Sequence, residues 1–394
     1  MLSRTRQNAL SLPAPTADAV AFSSALSDHI AAEIAAAGGW IGFDRFMDLA
    51  LYAPAMGYYS GGAHKFGAAG DFVTAPELCP AFGQTIAAQA AQLLALGAPR
   101  IIEVGAGTGQ LAADLLLELE LRGALPASYA ILELSGELRA RQQQTIARRA
   151  LHLLSRVHWL DQLPEHFDGL VLANEVLDAM PAHLVVWNDN GIAERGVGCD
   201  YGQFTWRDRP ASGRLRERAQ ALAADCELPH AYLSEVSLAA AAWVTEWAAI
   251  LGRGALLLID YGFPRREYYH WQRNAGTLMC HYRHHAHDEP FYLPGLQDIT
   301  AHVDFTAIAE AGCEAGLDLL GYTTQASFLF NCGLTDVLAR TPVADSLRYL
   351  PLANAVQKLV SPAEMGELFK VIALGKGITE ALQGFVTGDR SATL

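Results

Sequence analysis

The sequence lacks paired cysteines and long hydrophobic runs. Its six cysteines are scattered, with no C-x-x-C pair, which is typical of reduced thiols in a cytosolic protein. No apolar stretch approaches the roughly 18 residues that a membrane-spanning helix needs, and no signal-peptide core is present near the N-terminus. We therefore predict a cytoplasmic protein without a membrane span. Arg4 and Arg6, in a leading segment without acidic residues, leave a mitochondrial transit peptide as the minor alternative.

Basic residues are also scarce. Lys and Arg number 28 against 42 Asp and Glu, which gives a formal net charge of -14. An acidic surface argues against non-specific binding of nucleic acid and is compatible with a cationic partner. The 394 residues, of which 51% are apolar, can form two domains or one large α/β domain with insertions.

The most informative stretch is a predicted strand followed by a glycine-rich turn and a helix. Residues 101–104 are mostly β-branched, as in a buried strand, and helical apolar spacing begins at Leu111. Between them, glycines occupy alternate positions: Gly105, Gly107 and Gly109. Such a turn brings the backbone close to a nucleotide-like ligand at the carboxyl end of a parallel sheet.

The spacing of this turn distinguishes between ligands. Dinucleotide-binding turns follow G-x-G-x-x-G and hold a pyrophosphate, whereas this turn reads G-x-G-x-G and is preceded by Glu103. A carboxylate repels a diphosphate but attracts the ammonium and sulfonium groups of S-adenosyl-L-methionine. We predict that Glu103 holds the methionine end of this cofactor. We predict that the space for its ribose and adenine is lined by Gly105, Ala106, Gly107 and Gly109. A turn with only a packing role is the alternative.

Further strands are predicted to end in polar residues that face the same crevice. A second strand ends at Glu133, whose carboxylate can accept both ribose hydroxyls, although a surface glutamate is the alternative. A buried strand over 168–173 leads into Asn174 and Glu175. Because polar groups at the carboxyl ends of parallel strands converge on a ligand, we predict that both contact the cofactor. The repeated alternation of strand and helix predicts an α/β fold with an open, mainly parallel sheet and helices on both faces.

The chain is predicted to comprise several segments around a core. Residues 183–208 are expected to form a hairpin, and 212–250 to be helical. A glycine-rich loop within the N-terminal segment is of a kind that usually covers a site. The predicted segments are a flexible lead (1–20), an N-terminal helical segment (21–96), a core (97–190 and 251–378), an insertion (191–250), a substrate-side insertion within the core (265–305) and a tail (379–394).

Several blocks resemble the MidA-like family of S-adenosylmethionine-dependent methyltransferases, whose eukaryotic members assist assembly of respiratory complex I and are protein-arginine methyltransferases. The resemblance covers most of the chain from about residue 40 to 375. It implies a class I, Rossmann-like methyltransferase that uses S-adenosyl-L-methionine and acts on a protein, such as a complex I subunit. The blocks are residues 70–77 (GDFVTAPE), 103–109 (EVGAGTG), 174–181 (NEVLDAMP), 260–262 (DYG) and 276–278 (GTL), continuing through His284, His287 and residues 294–295, 298–301 and 303–305.

Methyl transfer to a guanidinium requires carboxylates that hold the acceptor and leave one nitrogen lone pair facing the methyl group. Glu175 and Asp178 are the predicted clamp, with Asp298 and Asp304 as an added wall. Helix capping is the alternative for Asp178, and a structural role is the alternative for Glu175.

Two further groups of candidates come from the blocks. Asp71 and Thr74 are predicted to cover the cofactor, with an ordinary turn and helix cap as the alternative. His284 is a candidate base or orienting residue. No metal is predicted, because no second cluster completes a tetrahedral set with the nearby histidines: His281, His284, His285 and His287.

The favoured function is therefore methylation of a protein arginine. A small-molecule or different side-chain acceptor is one alternative, and an assembly factor that retains the fold without turnover is the other. The intact carboxylates and glycines of the predicted cofactor site favour turnover, because a scaffold does not need them.

Overall fold

The computed structural model describes residues 12–61 and 74–394. Contacts divide the chain into two compact units, each built from three segments. The first unit comprises Met1–Val73, Pro181–Val236 and Trp271–Ala301, and the second comprises Thr74–Met180, Ser237–His270 and His302–Leu394. Apart from the end of the lead, the segment boundaries inferred from the sequence remain a prediction.

The described helices and strands are named here in chain order. The helices are α1 (Ala17–Ala36), α2 (Phe43–Tyr52), α3 (Ala75–Leu78), α4 (Ala81–Ala95), α5 (Gln110–Leu121), α6 (Gly136–Ala150), α7 (Gly213–Asp225), α8 (Leu238–Ile250), α9 (Arg265–Tyr268), α10 (Phe305–Glu314), α11 (Gln325–Asn331), α12 (Leu334–Ala339), α13 (Ser346–Val360) and α14 (Met365–Leu368). The strands are β1 (Ile41–Gly42), β2 (Arg100–Val104), β3 (Ser128–Leu132), β4 (Val157–Leu160), β5 (Phe167–Asn174), β6 (His183–Asn188), β7 (Gly191–Asp200), β8 (Gln203–Pro210), β9 (Tyr232–Val236), β10 (Leu251–Phe263), β11 (Met279–Tyr282), β12 (His285–His287), β13 (Asp298–Thr300), β14 (Val303–Asp304), β15 (Asp318–Thr324) and β16 (Phe369–Lys376).

The second unit contains a mainly parallel sheet with the strand order β15-β16-β10-β5-β2-β3-β4. Strands β10, β5, β2, β3 and β4 pair in parallel, whereas β16 runs antiparallel to both of its neighbours. The chain moves outward from β2 to β4 and then returns to β5 on the other side of β2. Ligands of open α/β sheets bind where the strand order reverses in this way, at the carboxyl ends of the strands. The predicted α/β fold class is confirmed.

Alternating side chains of the central strands pack on opposite faces of this sheet. Ile101 belongs to the same buried cluster as Phe82 of α4 and Leu115 of α5, whereas its neighbour Ile102 belongs to a second cluster with Val244 of α8 and Phe305 of α10. Burial of one such aliphatic side chain contributes on the order of 2 kcal/mol. Helices therefore cover both faces, and the carboxyl edge of the sheet is left to the connecting loops.

The first unit is antiparallel. Its larger sheet has the order β1-β7-β6-β9, with β8 beside β7, and its smaller sheet has the order β12-β11-β13. Strands β6 and β7 pair antiparallel, from the Leu184–Arg195 pair to the Asn188–Gly191 pair beside the turn, which confirms the predicted hairpin. Buried Glu235, at the end of β9, accepts backbone N–H groups from Thr277 and Leu278 at 2.9–3.0 Å. Residues 276–278, the GTL block, therefore form a loop whose backbone binds the Glu235 carboxylate.

Two local predictions were wrong. The helical stretch expected over 212–250 is interrupted by β9, because Tyr232–Val236 pairs with β6 in a long-range contact that helical spacing does not reveal. The lead expected to extend to residue 20 ends earlier, since α1 begins at Ala17 and the Thr16 hydroxyl accepts a capping bond from the N–H of Ala19. No described helix is both long enough and apolar enough to cross a membrane.

Candidate active site

The glycine-rich turn connects β2 to α5. Gly105, Gly107 and Gly109 have φ values of 65°, 51° and 84°, in the left-handed region that favours glycine. A Cβ at Gly105 would lie 2.9 Å from Val176, and one at Gly109 would lie 3.0 Å from the Cα of Gln142. A Cβ at Gly107 would meet no described atom within 4 Å. Packing therefore explains the first and third glycines, whereas the middle one borders space that no described atom fills.

Glu103 lies near the end of β2 and is buried, with 2% of its surface exposed. Its carboxylate accepts a 2.6 Å hydrogen bond from the Tyr129 hydroxyl. Burial raises the pKa of Glu103 to about 7, although the Tyr129 bond acts in the opposite direction. A nearby cation would favour the ionised form of this carboxyl.

Glu133 follows β3 and is connected to the glycine turn by Gln142. The Glu133 carboxylate accepts the N–H of Ser135 at 2.9 Å and the Gln142 amide at 3.1 Å. The same amide donates to the Gly107 carbonyl at 3.1 Å. Burial raises the pKa of Glu133. Sequence reasoning missed Gln142, although a buried glutamine on α6 is a signal that its amide has partners.

The segment after β5 is an acidic turn, defined here as Glu175–Asp178. Glu175 has a φ of 54°, and its carboxylate accepts the Asn174 amide at 3.0 Å and the Ala75 N–H at 3.4 Å. Burial and the neighbouring Asp178 raise the pKa of Glu175 to about 8. Near neutral pH, this group can therefore exchange a proton.

Asp178 is buried, with 6% of its surface exposed. Its Oδ2 accepts a hydrogen bond from the Tyr261 hydroxyl, while its buried Oδ1 has no hydrogen-bond partner among the described residues. Burial raises the pKa of Asp178 to about 6, while the Tyr261 bond and the nearby backbone N–H groups of Ala179 and Asp178 limit the rise. No described helix begins within residues 175–182, so the helix-capping alternative for Asp178 was wrong. An orphaned buried oxygen is costly unless a ligand pairs with it.

The remaining predicted site residues lie in different parts of the fold. Asp298 belongs to the first unit, where it is fully buried and accepts the Tyr59 hydroxyl at 3.0 and 3.1 Å. His284 is exposed in the turn between β11 and β12, with a φ of 64°. Thr74 precedes α3 without a side-chain cap bond, and Asp71 lies outside the described residues. Asp304 caps α10 by accepting the Ala307 N–H at 3.1 Å, which is an ordinary structural task.

The comparisons with known proteins decide the family. The family described as S-adenosyl-L-methionine-dependent methyltransferase matches residues 83–323. The chain belongs to this family. A solved structure from Burkholderia thailandensis, a superfamily member bound to S-adenosyl-homocysteine, is 57% identical with a TM-score of 0.94 and covers 98% of this chain and 100% of that chain. A second structure from the same organism is 56% identical, with a TM-score of 0.92.

More distant relatives carry a specific name. The zebrafish "Protein arginine methyltransferase NDUFAF7, mitochondrial" is 28% identical over 383 residues, covering 88% of this chain and 86% of its own. The mouse protein of the same name is 28% identical over 372 residues, covering 84% and 79%. The resemblance stated from the sequence, and S-adenosyl-L-methionine as the cofactor, are thereby confirmed.

The residues present fit this methyltransferase cofactor. Space free of described atoms borders Gly107, and the carboxyls of Glu103 and Glu133 at the ends of neighbouring strands suit a cationic amino-acid nucleoside. The turn from Gly105 to Gly109 contains no lysine or arginine for a phosphate. The described chemistry therefore agrees with a ligand that carries positive charge and no phosphate.

Proposed function

We propose that this methyltransferase acts on an arginine of a protein substrate. The acidic turn is the observation that carries the proposal, because Glu175 and Asp178 form no ion pair with a described lysine or arginine. Two such carboxylates match the planar donors of a guanidinium. The names of the zebrafish and mouse relatives support the same acceptor.

The chain's residues have distinct roles in this proposal. Glu103 pairs with the methionine end of the cofactor, and Glu133 pairs with its ribose. The rest of the cofactor site is formed by the glycine turn with Ala106 and by the Asn174 amide. When bound, S-adenosyl-L-methionine supplies an electrophilic methyl group. Glu175 and Asp178 orient the guanidinium, and Glu175, with its raised pKa, takes the proton that the methylated nitrogen loses. Two catalytic roles, those of Asp298 and His284, stay predictions, as does the cofactor contact of Thr74.

The proposed partner is a complex I-type subunit, following the family resemblance, and the proposed location is the cytoplasm. The test is incubation of the protein with a matching cell lysate and methyl-labelled cofactor, followed by mass mapping of the labelled residue. We expect label on arginine side chains. Label confined to small metabolites would replace arginine by a small-molecule acceptor, and tight cofactor binding without any label would indicate an assembly factor.

Cofactor binding should depend on pH through Glu103. Only the ionised carboxylate attracts the cationic methionine end, and the pKa of Glu103 in the free protein is raised to about 7. Binding therefore weakens as the pH falls through this value, and we expect the Kd to be about tenfold higher at about pH 6 than at about pH 8. Calorimetry across this range measures the effect.

Glu103→Gln is the matched control for this pH dependence. The amide keeps the size of the side chain and removes its titration, so binding should be weaker and almost independent of pH. An equally steep dependence in the variant would assign the titration to another group.

A further inference from the structure

Asp260 is a buried carboxylate, 1% exposed, within β10. Its Oδ2 accepts three consecutive backbone N–H groups of the acidic turn, from Val176 at 3.1 Å, Leu177 at 2.9 Å and Asp178 at 3.2 Å. Its Oδ1 accepts the N–H of Tyr261 at 2.9 Å. Burial and the nearby Asp178 and Glu175 raise its pKa, while the backbone donors counteract this rise. In each of these four described contacts the Asp260 carboxyl accepts a backbone N–H.

These bonds fix the backbone on which Glu175 and Asp178 stand. The N–H of Glu175 donates to the Ile259 carbonyl at 2.9 Å, so β10 binds every amide of the turn from 175 to 178. Glu175 has a positive φ, which costs on the order of 1 kcal/mol and persists where the surroundings over-determine it. The bonds from this turn to Asp260 and to the Ile259 carbonyl hold the strained conformation in place.

Tyr261, the next residue along β10, controls the side chain of Asp178. Its hydroxyl donates to Asp178 Oδ2, and its ring packs edge-on against His302 and Phe369 at centroid distances of 5.3 Å. With one carboxylate oxygen bound to a fixed ring, the orientation of Asp178 is set. Its other oxygen makes no hydrogen bond of good geometry in the described part of the chain, which is compatible with binding an acceptor.

We propose that Asp260 and Tyr261 are positioning residues for methyl transfer, the first holding the backbone of the acidic turn and the second orienting the Asp178 carboxylate. This inference rests on the proposed role of Glu175 and Asp178. It assigns no contact with the cofactor or acceptor to either residue.

Asp260→Asn tests the first part. Asparagine keeps the shape of the side chain but replaces one acceptor oxygen by an NH₂ group. This NH₂ group would face backbone N–H donors and cannot accept hydrogen bonds from them. Because small displacements of reacting groups cost about 100-fold in rate, we expect kcat to fall about 100-fold while the Kd for S-adenosyl-L-methionine stays within about threefold. Asp168→Asn is the matched control, since Asp168 of β5 also accepts a backbone N–H of β10, from Arg253 at 2.8 Å. This control should retain wild-type kcat.

Tyr261→Phe tests the second part. Loss of the hydroxyl removes a bond that holds the pKa of Asp178 down, so the acidic limb of the kcat profile should move to higher pH and kcat should fall about tenfold. Tyr322→Phe is the matched control, because the buried Tyr322 hydroxyl has no described hydrogen-bond partner. Its kcat profile should not move.

Wild-type kcat in Asp260→Asn, or an unshifted profile in Tyr261→Phe, would overturn the proposal. So would a kcat loss in Asp260→Asn that only parallels lost folding and lost cofactor affinity. Hydrogen exchange at amides 176–178 separates this inference from the choice of acceptor. If the wild type labels no arginine, the proposed function fails, whereas Asp260→Asn must still accelerate exchange at these amides. Unchanged exchange would overturn the role of Asp260 for any acceptor.

Discussion

Gly107→Val is expected to abolish binding of S-adenosyl-L-methionine, raising its Kd at least about 100-fold. The middle glycine of the turn borders space in which a Cβ would meet no described atom within 4 Å, so a valine side chain would occupy the ligand's room. The predicted contact of Gly107 with the cofactor implies a steric clash worth well over 2 kcal/mol, or about 30-fold in affinity, to which backbone strain adds. Calorimetric titration measures the loss.

Backbone strain alone needs its own control. Gly123 in the same unit also has a positive φ, of 65°, and also borders open space. Gly123→Val therefore imposes a similar conformational cost beyond the end of α5, away from the predicted cofactor contacts. We expect it to melt at a temperature similar to that of Gly107→Val and to bind the cofactor normally. Equal loss of binding in both variants would contradict a ligand-filled space at Gly107.

The sequence was informative where the signal was local. The strand, turn and helix around Gly105–Gly109 are determined by adjacent residues, and the carboxyl-end positions of Glu133 and Glu175 follow from the strands that precede them. Parallel sheet order could be anticipated because strands and helices alternate along the chain. These elements lie where they were predicted.

Long-range contacts were not predictable in the same way. Asp260 follows a run of apolar strand residues and was noted only as part of the DYG block, yet it binds amides 82 to 84 positions earlier. Gln142 connects Gly107 to Glu133 from a helix whose sequence is mostly polar. Residue spacing reveals neither partner. Strand β9 was missed for the same reason, since its identity depends on pairing with β6.

Structure also changed the interpretation of single residues. Asp178 and Asp304 are both acids that the sequence alone can assign to a helix cap. Asp304 performs that task for α10, whereas Asp178 binds a tyrosine hydroxyl and keeps a buried oxygen without a described partner. The difference lies in the backbone on the C-terminal side of each residue, which is a helix after Asp304 and an irregular segment after Asp178.

Asp178→Asn should therefore separate catalysis from cofactor binding. The substitution keeps the size of the side chain and an oxygen for the Tyr261 hydroxyl, but it removes the charge that would hold a guanidinium. Charged hydrogen bonds of this kind contribute roughly 1.5–3 kcal/mol, and more when buried, so kcat/KM should fall about 100-fold or more. Because Glu103 and Glu133 are unaltered, the Kd for S-adenosyl-L-methionine should stay within about threefold of the wild type.

Asp178→Glu distinguishes lost charge from lost shape. It restores the carboxylate on a longer side chain, and we expect part of the kcat/KM to return. Steady-state kinetics on the labelled acceptor, with Asp168→Asn as the control for a carboxylate lost elsewhere in the sheet, gives the comparison. Wild-type turnover in Asp178→Asn would reduce Asp178 to a partner for Tyr261 and leave Glu175 alone as the acceptor-binding acid. The expected loss would instead indicate that two carboxylates of one irregular turn act together, which is the arrangement that a planar cation requires.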